Sequence, residues 1–148
     1  MSFQPEFVFE TTDYEGTPVV LSRATWHAKA GNDTVGTHPE IRNYLEEVEA
    51  TIMSPDLVFQ STRDARSRVF YRLRAGRGDF AGKHLVVIVK YAQQPDGRRG
   101  YVSTVYLSRA EGLDHGVGHF RPLSITRQRH LLAYHGTARS YASLCQVF

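Results

Sequence analysis

Two histidines in this chain are placed to move protons near neutral pH. His27 follows Trp26, and His38 opens the run His38-Pro39-Glu40. Each stands at the N-terminal edge of a predicted helix. The plainer reading makes His38 a first-turn residue and His27 a packing partner of Trp26. A second group is cationic. Arg68, Phe70, Arg72 and Arg74 alternate with Val69, Tyr71 and Leu73. In a strand that alternation puts the guanidiniums and the phenyl ring on one face. RNA-binding sheets use the same combination, arginines for phosphate and an aromatic ring for base stacking. Solvated arginines on an exposed sheet face are the plainer alternative. Lys90 closes the apolar run Leu85-Val86-Val87-Ile88-Val89. If Asp96-Gly97 forms a two-residue turn, Lys90 lies opposite Ser103. Ser103 or Thr104 would then hydrogen-bond a phosphate that Lys90 holds.

Other chemistry is argued against. His115 and His119 have the i, i+4 spacing of a helical metal pair, but Gly116 and Gly118 disfavour a helix there and no third ligand is close. No metal is therefore expected. There is no phosphate-cradling glycine loop, nucleophile elbow or paired-cysteine motif, so no cofactor is implied. Cys145 is the single cysteine, which excludes an internal disulfide and reads as an inert thiol.

Charge is unevenly spread. Residues 1–59 carry a net −7, residues 60–110 a net +8 and residues 111–148 a net +2. Fifteen of the eighteen basic residues are arginine, which suits bidentate contact with phosphate. Such polarity points to a polyanionic partner for the basic half. It is equally what a basic surface balancing its acidic neighbour would give. No stretch approaches the roughly 18 apolar residues of a membrane span, and the first residues lack the basic and apolar regions of a signal peptide. No membrane partner and a cytoplasmic location are expected.

The elements that must position these residues are legible in outline. Phe7–Glu10 and Pro18–Leu21 flank a turn-rich segment and read as a β-hairpin. A short helix follows, with Ser22 as N-cap and Gly31 at its C-terminal end. Thr37-His38-Pro39-Glu40 has the form of a capping box. Ile41, Tyr44, Leu45, Val48, Ile52 and Met53 then make one helical stripe, which Ser54-Pro55 ends. Strands are predicted at Leu57–Phe59, Ser67–Arg74, Leu85–Val89 and Tyr101–Leu107. The continuous apolar run 85–89 marks a central strand. A short helix is predicted over Ser124–Tyr134, with the C-terminal stretch adding an edge strand or docking on the domain. The class is α+β: an N-terminal β-hairpin and helices packed on one face of a three- to five-stranded antiparallel sheet.

Several strings together resemble a phage-associated nuclease family of the barnase–EndoU–colicin–RelE (BECR) group. They are Trp26-His27, His38-Pro39-Glu40, a helix ending in Ser54-Pro55-Asp56, Phe70-Tyr71-Arg72, Leu85–Lys90 and Val102-Ser103-Thr104-Val105-Tyr106. Here His27 follows the tryptophan directly, where the family usually has its histidine two residues on, and residues 31–37 look inserted. The resemblance implies a nuclease domain over residues 1–110, with residues 111–148 as an extension packed on it. It also implies metal-independent RNA cleavage, and toxin or phage-conflict roles recur in the group.

The expected activity is thus a metal-independent endoribonuclease in which the ribose 2′-hydroxyl attacks the adjacent phosphate. His38, with His27 as a second candidate, would serve as base or acid. Arg72 and Lys90 would stabilise the phosphate, helped by Ser103 or Thr104, while Arg68, Phe70 and Arg74 hold RNA. An acidic antitoxin or immunity protein would cover the basic face of a toxin. The competing expectation is a non-catalytic RNA- or nucleic-acid-binding domain of the same fold. A metal-dependent hydrolase using His115 and His119 ranks third.

Overall fold

The computed structural model describes residues 5–32, 35–61 and 63–108, together with the backbone of Arg121–Ile125. The hairpin β1 (Phe7–Thr12) and β2 (Pro18–Ser22) leads into helix α1 (Arg23–Ala30). A 3-10 turn over Pro39–Asn43 and helix α2 (Leu45–Met53) follow. The chain then builds β3 (Leu57–Gln60), β4 (Ser67–Arg72), β5 (Leu85–Gln94) and β6 (Gly97–Leu107), and Arg121–Ile125 forms β7. The class is α+β, as the sequence leads one to expect. The sheet is larger than expected and mixed, with order β1-β2-β6-β5-β4-β3-β7. All neighbours are antiparallel except β2 and β6, which pair in parallel through Val19↔Gly100 and Val20↔Tyr101. No helix among the described residues is long and apolar enough to cross a membrane.

Local chemistry accounts for the first elements. In the β1–β2 turn the Asp13 carboxylate accepts the amides of Glu15 and Thr17 at 2.8 and 2.9 Å, and Gly16 supplies a positive φ of 86°. Ser22 caps α1 by accepting the Thr25 amide at 3.0 Å, and Gly31 ends it at φ 92°. The second capping signal is not used as expected. Thr37 Oγ donates to the Ala28 carbonyl at 3.4 Å, while the amides of Thr37 and His38 donate to Ala28 and Lys29. With Thr37 and His38 tied to α1 in this way, no side chain caps the turn that follows. A tight 3-10 turn forms instead, breaks at Tyr44 and restarts as α2. The break keeps Ile41, Tyr44, Val48 and Ile52 all buried against the sheet.

Helices cover one face only. Trp26, Ala30, Ile41, Tyr44, Val48 and Ile52 pack with Val58, Phe70, Leu85, Val87, Val89 and Val105 in one core. The opposite face holds a second core of Leu57, Phe59, Val69, Tyr71, Leu73 and Val86. Burial of both faces explains why 85–89 is apolar without alternation, and β5 does lie at the centre of the sheet.

Two details of the sequence reading change. Gln94 pairs with Gly97, so the reversal takes Pro95-Asp96 rather than Asp96-Gly97 as its two central residues. Proline fixes φ near −65°, which a primed two-residue turn excludes at its first position; the positive φ of 126° falls on Gly97 after the turn. Lys90 consequently pairs with Tyr101, not Ser103. Arg121–Ile125 is a strand antiparallel to β3, where a helix was predicted to begin at Ser124. His115, His119 and Cys145 lie outside the described residues.

Candidate nucleic-acid interface

The alternation along β4 is as expected, but the faces are exchanged. Phe70 is 0 % exposed in the helix-side core, its ring edge-on to Tyr14 at 5.9 Å. It cannot stack on a base. Arg68 and Arg72 share its face, because their β4 positions register with Val89 and Leu85 of the larger core. Both side chains run their apolar stems over that core and deliver the guanidinium to its rim. Arg72 Nη2 donates to the carbonyls of Ala50 and Ser54 at 3.3 and 3.4 Å, at the C-terminal end of α2. Cations belong there, where unpaired carbonyls carry partial negative charge. Arg68 Nη1 donates to Glu15 Oε1 at 2.6 Å and to the Tyr14 hydroxyl at 3.4 Å. Arg74 lies beyond the strand at φ 54°, its amide donating to His84 Nδ1 at 3.1 Å.

The other expected site residues are dispersed. Lys90 registers with Ser67 on the face away from the helices, and its ammonium pairs with Asp64 at 3.2 Å. Arg72 and Lys90 therefore point to opposite sides of the sheet. Ser103 sits at an irregularity in the β5–β6 ladder, exposed, with its hydroxyl donating to the Ile88 carbonyl at 3.2 Å. Thr104 registers with Ile88. His38 precedes the 3-10 turn, with Nδ1 3.3 Å from Glu40 and its ring 5.7 Å from that of Tyr106. Tyr106 lies five positions beyond Tyr101, the partner of Lys90, so His38 and Lys90 are separated by roughly 16 Å of strand at ~3.3 Å per residue. His27 is half-buried in α1, and its carbonyl accepts the Gly31 amide. The pocket expected between His38, Arg72 and Lys90 is not assembled. Among the described residues no group of three histidine, cysteine or acidic side chains is placed to hold a metal ion.

Cations gather instead at the end of the sheet formed by the β1–β2 turn, the β3–β4 loop and the β5–β6 hairpin. The loop joins this end through the Tyr91 amide, which donates to the Arg66 carbonyl at 2.8 Å. At its centre is Tyr91, whose hydroxyl donates to Asp13 Oδ2 at 2.7 Å. Gly100 makes room for the ring: a Cβ there would meet Val89 at 2.8 Å and Tyr91 and Val19 at 3.0 Å. The Arg68 and Arg98 guanidiniums lie 5.2 and 4.3 Å from the centre of the Tyr91 ring, a cation–π arrangement. Burial, and then the Asp13 carboxylate, push the Tyr91 phenol far above its ordinary range. Burial and then Glu15 push Tyr14 up to about 12. Glu15 is held below the usual carboxylate range by the Tyr14 hydroxyl and then by Arg68.

Arg98 and Arg99, with Glu15, Thr17 and Asp96, line an open cleft of about 440 Å³ between the turn and the hairpin. Residues 92–94 and 97–99 pair only with one another, so β5 and β6 end as a two-stranded ribbon. Its tip carries Gln93, Gln94, Arg98 and Arg99.

This arrangement also explains part of the charge polarity. Arg68 pairs with Glu15, Arg99 with Glu10 at 3.2 Å, and Arg77 with Glu47. Each pair joins a carboxylate of the acidic first part of the chain to an arginine of the basic second part. In the sequence alone 12–16 is a turn, and neither Tyr91 nor Arg98 stands out. The available signal was Asp13 two and four residues before Glu15 and Thr17, a turn-anchoring spacing; nothing in the sequence linked it to Tyr91. The chain matches no family model, no curated protein and no solved structure.

Proposed function

We propose that this domain binds RNA through the tip of the β5–β6 ribbon and the loops beside it, and that binding rather than cleavage is its activity. The observation that carries the reading is the ribbon itself. It presents Arg98, Arg99, Gln93 and Gln94 from a narrow two-stranded element, next to Arg66 and Lys90. Arginine holds backbone phosphate by paired N–H donors, and glutamine reaches base edges that single-stranded RNA leaves open. RNA cleavage, expected from the sequence, is the less favoured reading, because its proposed acid, base and cations lie apart.

The test mixes the protein with labelled single-stranded RNA, and with DNA of the same sequence, in EDTA. Bound, uncut RNA is expected, with affinity falling steeply as salt rises and dropping about tenfold or more in the Arg98→Ala/Arg99→Ala variant. RNA fragments ending in 2′,3′-cyclic phosphate would establish cleavage instead, and absence of RNA binding would end the proposal.

A further inference from the structure

We infer that Glu15 is a built-in competitor for phosphate: it occupies, on Arg68 and beside Arg98, the place that an RNA phosphate takes on binding. This rests on the proposed RNA-binding reading and specifies where one backbone phosphate is held.

The two ends of the Arg68–Glu15 pair are differently fixed. Arg68 has a side chain only 15 % exposed, packed against Tyr91 and bonded to Tyr14. Its Nε is buried and without a hydrogen-bond partner, so the guanidinium holds donor capacity that Glu15 alone does not use. Glu15 has its backbone pinned by the Asp13 carboxylate, but its side chain is 50 % exposed on the wall of the cleft. Rotation about the side-chain bonds of Glu15 therefore vacates Arg68 without moving the turn. Glu15 is half exposed, so water solvates its carboxylate as it leaves, and the incoming phosphate takes its place on Arg68, which is too buried to be left without an anion.

Arg98 makes the vacated place a phosphate site rather than a solvated arginine. Its guanidinium lies against Tyr91 from the hairpin side, and among the described residues no carboxylate pairs with it. A phosphate in the Glu15 position takes the bond from Arg68 and shares its cleft with Arg98, two guanidiniums for an anion with several acceptor oxygens. A carboxylate carries one charge and two oxygens, and a phosphate diester offers the same charge on a tetrahedral centre that can bridge both. Asp96 also lines the cleft, and its charge opposes anions on its side.

Binding of labelled RNA and of inorganic tripolyphosphate is measured for the wild type, Glu15→Gln and Arg98→Ala at several salt concentrations. A melting curve for each variant checks that it is folded. Glu15→Gln is expected to bind both ligands about fivefold more tightly. Arg98→Ala is expected to weaken both by about fivefold; Arg98 is exposed, and the melting curve reads what its contact with Tyr91 contributes to the fold. If RNA binds the wild type but neither substitution changes either affinity by more than twofold, the competitor assignment is wrong while the RNA-binding reading stands. If tripolyphosphate responds as expected but RNA is not bound, the anion site stands and the RNA reading fails.

Discussion

Asp64 illustrates how a surface carboxylate on this sheet is kept ionised. The Arg66 amide donates to Oδ1 at 2.9 Å, and the Lys90 ammonium lies 3.2 Å from Oδ2. The backbone donor first, and Lys90 after it, hold the Asp64 carboxyl down at about 2 against an ordinary 3.8. A depressed folded-state pKa stabilises the native state only where the carboxylate is ionised. The contribution is complete above the unfolded value and is lost as pH falls from about 4 toward 2. Asp64→Asn is therefore expected to lower stability at pH 7 and to flatten its decline between about pH 4 and pH 2. Urea unfolding at stepped pH reads this directly; an unchanged acid limb in the variant would remove Asp64 from the account. The Asp64–Lys90 pair lies on the face of the sheet away from the helices, so Lys90 is on the other side from Arg72. Arginines behave alike: Arg68, Arg72, Arg77 and Arg99 each spend donors on a carboxylate or a helix carbonyl.

Elements differ in how far local sequence decides them. Ser22 makes its capping bond and Thr37 does not, although both precede a predicted helix. Ser22→Ala is expected to cost about 1 kcal/mol, the usual loss for a used N-cap. Thr37→Ala is expected to stay within about 0.5 kcal/mol, as for a surface change that removes only a weak contact. Urea midpoints for the two variants test the assignment, and equal losses would mean that Thr37 does cap. The hairpin, α1 and strands β3 to β6 were legible because each is set by alternation and turn residues within a few positions. The break at Tyr44 was not, since it depends on ties from residues 37–38 back to α1. Nor was the facing of β4. Its two sides both carry large apolar or amphipathic residues, and only pairing with Leu85, Val87 and Val89 puts the arginine side under the helices. That one inversion turned an expected open RNA face into a rim of ion pairs. The Lys90–Ser103 pairing failed on a turn shifted by one residue, which moves a hairpin register by two.

At the scale of the whole molecule, the polarity of the chain has two uses. Three ion pairs join the acidic first part to the basic second part and close the sheet against the hairpin and α2. That much needs no partner, and it is the plainer of the two readings the charge pattern offered. At one end of the sheet Arg98 stacks on Tyr91 with no carboxylate paired to it among the described residues, and Arg66 and Lys90 share the single carboxylate Asp64. The opposite end, which carries His38 and Tyr106, holds Arg74, Arg77 and Lys83 on the connection from β4 to β5, with Arg77 paired to Glu47.

Where RNA touches the protein decides between these ends. Amide chemical-shift mapping of the isotope-labelled protein, titrated with single-stranded RNA at low salt, is the most direct measurement. The account predicts that the largest shifts fall on residues 13–17 and 92–99, saturating together and reversing as salt is added. Shifts concentrated instead around His38 and Tyr106, with the ribbon tip unmoved, would contradict it.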